Sequence, residues 1–221
     1  MLSPLLTQII TCLSIMLITF CGLKLIELKM SWLVGNCKYN EKSSIFHPQM
    51  LKGLGIIYPI SILPFYFFYE DILNIIDYLM LFSLAVLGLL DDKYDLNYKS
   101  KISIFLLISI FYNLYSIPIN LYNDVMIGDL LLKIFYFVFL IVFFNQIDGI
   151  NGLAVLTFLV CYFFISFLGG ILITFLPLIF FTIPYLIFNL RGKIGFQGDS
   201  GSYFLAGIIY LIILKSSIKL D

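Results

Sequence analysis

The sequence predicts an all-α fold, a polytopic membrane helical bundle of about eight transmembrane helices in one integral domain spanning residues 1–221. Three observations carry this. Of the 221 residues, 62% are apolar and only 12% charged, and the mean hydropathy is +1.06. Most of the chain divides into apolar runs near the ~20 helical residues that cross ~30 Å of hydrocarbon. Ten of the 13 basic residues fall in alternate connections. A soluble core is excluded, and so is nucleic-acid binding driven by bulk charge, because 13 basic and 13 acidic residues cancel.

The first run, Pro4 to Leu23, lacks a basic leader and a small-residue cleavage site, so a retained helix is expected rather than a signal peptide. Leu54–Tyr69, Ile72–Leu90, Ile102–Ile119, Val125–Phe144, Leu153–Leu168, Ile171–Phe188 and Ser202–Leu214 follow. Turn chemistry separates them at Glu70-Asp71, Pro118 to Asp124 and Gly169-Gly170. The last run is short: about a dozen residues before Lys215-Ser216-Ser217 span roughly 18 Å, so this helix is expected to be marginal. Cys12, Cys21, Cys37 and Cys161 show no paired or metal spacing and read as packing residues. Asp77 and Asn113 are the polar residues well inside apolar runs; a transporter would place more charge at mid-helix.

Charge sets the orientation. Lys24, Lys29, Lys38, Lys42, Lys52, Lys93, Lys99, Lys101, Arg191 and Lys193 lie on one side, and Lys133, Lys215 and Lys219 on the other. The rich side is expected to be cytoplasmic, with both termini outward. The four loops on that side hold every chemically suggestive residue: Asn40 to Lys52, Gly88 to Lys101, Asn145 to Leu153, and Asn189 to Gly201.

If its helix continues past the surface, Asp91 and Asp95 share a face one turn apart, with Asp92 beside them. Such negative charge invites a cation, although a solvated loop whose aspartates offset its lysines reads equally simply. Lys101 could snorkel or bind a phosphate. Asn145 and Asp148 end a very apolar run, where they either need a partner or cap a helix turn. Gly198-Asp199-Ser200-Gly201 matches a serine-protease nucleophile tetrapeptide in letters only. The sole histidine, His47, lies elsewhere and reads as interfacial, so a tight turn opening a helix is preferred, with Asp199 as cap or metal ligand. Arg191 and Lys193 are ordinary positive-inside residues unless Asp199 makes them part of an anion site.

Together these loops resemble the polyprenyl-phosphate N-acetylhexosamine-1-phosphate transferases, the bacterial glycosyltransferase 4 family that includes phospho-N-acetylmuramoyl-pentapeptide transferase. Gly88-Leu89-Leu90-Asp91-Asp92 looks like the family's aspartate pair, with Lys101 at its lysine spacing. Asn145 to Leu153 resembles its Asn-x-x-Asp-Gly-x-Asp-Gly-Leu signature, with Asn151 replacing the second Asp. Asn189 and Phe196 to Ser202 resemble its Asn…Phe-Met-Gly-Asp-x-Gly-Ser block. Asn40 to Ser44 looks most like members that start O-antigen or related surface glycans.

The resemblance implies Mg²⁺, or Mn²⁺ in its place, held by Asn145 and Asp199. It implies Asp91, Asp92 and Lys101 at the reacting phosphates as catalytic residues. Asp148, Asn151, Asn189, Lys52, Arg191 and Lys193 are the implied substrate-binding residues. The implied reaction moves a sugar 1-phosphate from a UDP-sugar to undecaprenyl phosphate and releases UMP, in the inner membrane of a bacterial cell; a homo-oligomer is left open. Family members continue through two more helices and a fifth cytoplasmic loop that helps bind the sugar nucleotide. The expectation here is therefore weak nucleotide-sugar affinity, with an impaired or accessory relative as the alternative.

Overall fold

A computed structural model describes residues 3–29, 35–36, 51–116, 124–148, 152–169, 175–190 and 195–217. In chain order it contains α1 (Pro4–Lys29), β1 (Gly35–Asn36), β2 (Leu51–Lys52), a 3₁₀ turn (Leu54–Ile56), α2 (Ile57–Ser61), α3 (Leu63–Phe68), α4 (Ile75–Tyr94) and α5 (Tyr98–Ser116). Then come α6 (Asp124–Ile147), α7 (Leu153–Leu168), a second 3₁₀ turn (Leu176–Ile179), α8 (Thr182–Leu190), β3 (Gly195–Phe196) and α9 (Gly198–Ser217). The all-α expectation holds for the bundle.

The central helix is α9. Residues 201–212 are buried on every face, which is how a helix apolar all round must sit. It packs against α4, α6 and α7, and against the 3₁₀ turn at Leu54. At 20 residues it extends about 30 Å, because it begins at polar Gly198-Asp199 and continues through Lys215-Ser216-Ser217 beyond the apolar Ser202–Leu214 run. That polar share keeps it out of the helices apolar enough to cross a membrane.

The outer face is greasy instead. Leu13 and Leu17 on α1, Phe135 on α6 and Phe164 on α7 are each 60% exposed or more, a distribution that suits hydrocarbon rather than water. Among the described residues, two helices are long and apolar enough to cross a membrane, Pro4–Lys29 and Gly128–Ile147.

Two of the eight expected runs are not single helices. Leu54–Tyr69 breaks at Ile62, because the Pro64 ring cannot follow the carbonyl of Ile60 in a continuous helix. In Ile171–Phe188, described from residue 175, a 3₁₀ turn containing Pro177 precedes α8.

A three-stranded sheet of two-residue strands, ordered β1-β2-β3, was not expected from the sequence. β1 and β2 run antiparallel and β2 and β3 parallel, pairing Leu51 with Gly195 and Lys52 with Phe196. Backbone bonds from Gly53 N to Phe196 O (3.3 Å) and Gly55 N to Gln197 O (2.9 Å) extend that pairing. The first loop is thereby fastened to the segment that opens α9.

A polar network ties the far end of the bundle. Asn74 and Asp77 form a capping box at the start of α4. Buried Asp77 also accepts from Tyr112 (2.7 Å) and pairs with Lys215 at the end of α9 (2.8 Å). Nearby, Tyr210 donates to Asn113 Oδ1 (2.8 Å), and the Asn113 amide donates to Ser109 O (2.8 Å).

Candidate active site

At the opposite end, the C-terminal turns of α4 and α6 meet the N-terminal turns of α5 and α9. α4 stops at Tyr94, and Asp95 adopts a left-handed cap conformation (φ 54°). Asp91 and Asp95 therefore do not continue one helical face as expected. Asp95 lies past the last turn, where the chain reverses into α5.

Asp92 holds the start of α9. Its Oδ1 accepts from Asp199 N (2.9 Å) and its Oδ2 from Ser200 N (3.2 Å). These are first-turn amides that have no intrahelical partner, so Asp92 acts as an N-cap supplied by another helix. Gly198 sits at φ +69°, and a Cβ there would lie 2.4 Å from Asp92 Oδ2. Gly88, one turn before Asp92, faces the same contact: a Cβ would fall 2.4 Å from the Asp199 carbonyl carbon and oxygen. The glycines let the two backbones touch.

Each aspartate also holds a lysine. Lys52 Nζ lies 3.4 Å from Asp92 Oδ1, and the Asp92 side chain is fully buried. Lys101 Nζ lies 2.7 Å from Asp91 Oδ2, which also accepts from Tyr203 OH (2.6 Å), while Oδ1 accepts from Leu96 N (3.1 Å). Asn145 reaches Tyr203 through its amide nitrogen (3.5 Å), which leaves its carbonyl oxygen as the atom to offer a cation. Asp148 Oδ1 accepts from Gln197 Nε2 (3.0 Å).

These end turns lie beyond the apolar runs, and their electrostatics are lopsided. Among the described residues, Asp91, Asp92, Asp148 and Asp199 share Lys52 and Lys101. Burial pushes Asp92 up to about 6 even though Lys52 and the α9 amides pull it down. Burial and repulsion from Asp92 push Asp199 to about 8, against the pull of Lys52. Burial likewise raises Asp148, with Asp199 and Asp92 adding to it and Gln197 opposing. Asp91 differs: burial raises it, but Lys101, Tyr203 and the Asp199 carboxyl hold it below the usual carboxylate range.

That surplus of carboxylate fits a divalent cation. Among the described residues no three acidic, His or Cys side chains surround one metal-sized point. The implied Mg²⁺ set of Asp199 and Asn145 is one carboxylate and one amide, and Mg²⁺ commonly takes its remaining ligands from water and substrate phosphate.

Lys52, Asp91, Asp92, Lys101 and Asp199 thus form one cluster, joined by Asn145 through Tyr203 and by Asp148 through Gln197. Asn189 is fully buried and donates to Gly195 O (3.2 Å), linking the end of α8 to the start of β3. Asn151, Arg191 and Lys193 lie outside the described residues, as do Asn40 to Ser44 and His47. Sequence reasoning missed Tyr203 and gave Gln197, inside the Phe196 to Ser202 block, no role. Tyr203 carries a signal, lying one helical turn after Asp199, whereas the partner of the Gln197 side-chain amide, Asp148, comes from a distant segment.

A greasy bundle with charge gathered at one end is the build of a membrane-embedded transferase. The sequence model of glycosyl transferase family 4 matches residues 74–217, from the capping box of α4 to the end of α9, and the chain belongs to that family. A Sulfolobus acidocaldarius protein provisionally named UDP-N-acetylglucosamine--dolichyl-phosphate N-acetylglucosaminephosphotransferase is 24% identical over 91% of this chain and 71% of its own length. A Thermotoga maritima protein, undecaprenyl-phosphate alpha-N-acetylglucosaminyl 1-phosphate transferase, is 29% identical over 57% of this chain and 40% of its own. Lys52 and β2 precede the residues matched by the family model.

Proposed function

We propose that this protein transfers a sugar 1-phosphate, an N-acetylhexosamine 1-phosphate, from a UDP-sugar to undecaprenyl phosphate and releases UMP. The observation that carries the reading is the meeting of Asp91, Asp92, Lys101 and Asp199 at one end of a lipid-suited bundle. The names of the two relatives support transfer of an N-acetylglucosamine 1-phosphate to a polyprenyl phosphate, dolichyl in one and undecaprenyl in the other.

Attack by one phosphate on another must overcome anion repulsion, so catalysis is mainly positive charge and alignment. Mg²⁺, or Mn²⁺ in its place, would be held by Asp199 and the Asn145 carbonyl oxygen and would supply charge stabilisation at the transferring phosphate. Lys101, fixed by Asp91, and Lys52, fixed by Asp92, neutralise phosphate oxygens from the protein side. A phosphate monoester's second pKa is near ~6, so the lipid phosphate arrives largely dianionic and hardly needs a base. Asp92, engaged by two amides and a lysine, serves orientation rather than proton abstraction. Asp148 lies on the nucleotide side. The charged end faces the cytoplasm, where nucleotide sugars are available.

The test is UMP release from a panel of UDP-sugars by purified protein with undecaprenyl phosphate and Mg²⁺. Release that needs both the lipid phosphate and the cation is expected. No release with any donor would overturn the transferase reading in favour of an accessory relative.

A further inference from the structure

Gln197 immediately precedes the opening glycine of α9, and the mechanism above gives it no role. It is 0% exposed, and every polar atom it has is engaged. Its backbone N donates to Tyr185 OH (3.0 Å). Its carbonyl accepts from Gly55 N (2.9 Å), Gly201 N (3.3 Å) and Ser200 Oγ (2.9 Å). In the side chain, Oε1 accepts from Tyr58 OH (3.3 Å) and Nε2 donates to Asp148 Oδ1 (3.0 Å). Among the described residues, this is the hydrogen bond drawn to the Asp148 side chain.

The chemistry of the amide gives this arrangement a direction. In the structure Gln197 turns its NH₂ to Asp148, whose Oδ1 accepts. Its oxygen then faces Tyr58, whose hydroxyl supplies the donor that this orientation needs. Tyr58 on α2 thereby fixes which way the amide points, and the amide fixes one oxygen of Asp148 at the end of α6. Among the described residues the other oxygen of Asp148 accepts no hydrogen bond, and it is the one to meet a ligand.

We propose that Gln197 is a positioning residue for nucleotide binding, acting through its hydrogen bond to Asp148 and itself set by Tyr58. This rests on the reading of Asp148 as a nucleotide-side residue. Losing this hydrogen bond should weaken UDP-sugar binding by roughly tenfold. The change should appear in KM while kcat moves little, because Gln197 touches no reacting phosphate.

The experiment pairs turnover with UMP binding by titration calorimetry on the full chain, with thermal melting to show that each variant folds. Gln197→Leu, which keeps an apolar side chain of similar reach and removes both amide atoms, should raise KM for the UDP-sugar and the Kd for UMP by roughly tenfold. Tyr58→Phe should move both in the same direction by less. Gln197→Glu sets acceptor against acceptor and should be worse than Gln197→Leu. In an Asp148→Asn background, however, Gln197→Glu should be neutral or beneficial, because the substituted side-chain amide can donate to the new carboxylate. A role in packing alone predicts the same loss from Gln197→Glu in both backgrounds, and that result, or an unchanged KM in Gln197→Leu, would overturn the proposal. Native protein that neither binds UMP nor releases it overturns the transferase reading and the role of Gln197 with it.

Discussion

The two ends of the α4–α9 pair both bury aspartate, and they treat it in opposite ways. At the far end Asp77 has one lysine, one tyrosine hydroxyl and one backbone amide, so the group is matched charge for charge. At the near end four aspartates share two lysines among the described residues, and burial with mutual repulsion lifts Asp92 to about 6 and Asp199 to about 8. A saturated ion pair is a fastening. An unsaturated cluster is a demand for a cation or for protons, and phosphate chemistry can use it.

The largest effect expected is on the fastening. Lys215→Met leaves Asp77 buried without its cation and should cost about 3–5 kcal/mol, read as a lowered melting temperature in mild detergent. Adding Asp77→Asn should recover much of that loss, and turnover per folded molecule should hardly change. A Lys215→Met protein that melts normally would mean the far-end pair fastens nothing.

At the near end the effects should fall on chemistry instead. Asp199→Asn should lower turnover by at least ~10²-fold, the scale for losing one charge-stabilising group, and Asp92→Asn should lower it as well by loosening Lys52 and the α9 amides. Glu70→Gln, in the turn between α3 and α4, is the control and should cost little. Equal tolerance of all three would erase the distinction between the ends.

Gly88→Ala probes the closeness of α4 and α9. With the Asp199 carbonyl 2.4 Å from the added Cβ, the helices must part, at a cost of roughly 1–3 kcal/mol. Activity should fall with it, since Asp92 loses its hold on the α9 amides.

A last test separates the ends by pH. Asp199 has its folded pKa raised from 3.8 to about 8, so the folded chain binds more protons than the unfolded chain across that interval. With a chelator present, stability should decline as pH rises from about 4 to about 8. Mg²⁺ should offset the decline at the alkaline end, with protons released on binding. Its apparent affinity should weaken as pH falls from about 8 through about 6. Melting curves with and without Mg²⁺ across this range are the measurement, and a flat difference would argue against a metal at Asp199.

By itself the sequence determined the membrane bundle and the identity of the charged loops. Hydrocarbon tolerates few alternatives to helices, so apolar runs mark helical segments even where their length and continuity differ. Asp91, Asp92, Lys101, Asn145, Asp148 and Asp199 were legible because charge is costly in such a chain and these residues fall at the ends of runs. Only the tertiary structure decided what each one does there. That Asp92 caps α9 across 107 residues depends on two glycine contacts between helices, which no local pattern encodes. The same applies to Lys52 and Gln197, set by a two-residue strand pairing too short to show any periodicity. Asp77 looked like a lone charge inside an apolar run, and its partner Lys215 looked like the end of a short helix. Their pairing required knowing that α9 is central and full length, a fact of packing that apolar counting cannot supply.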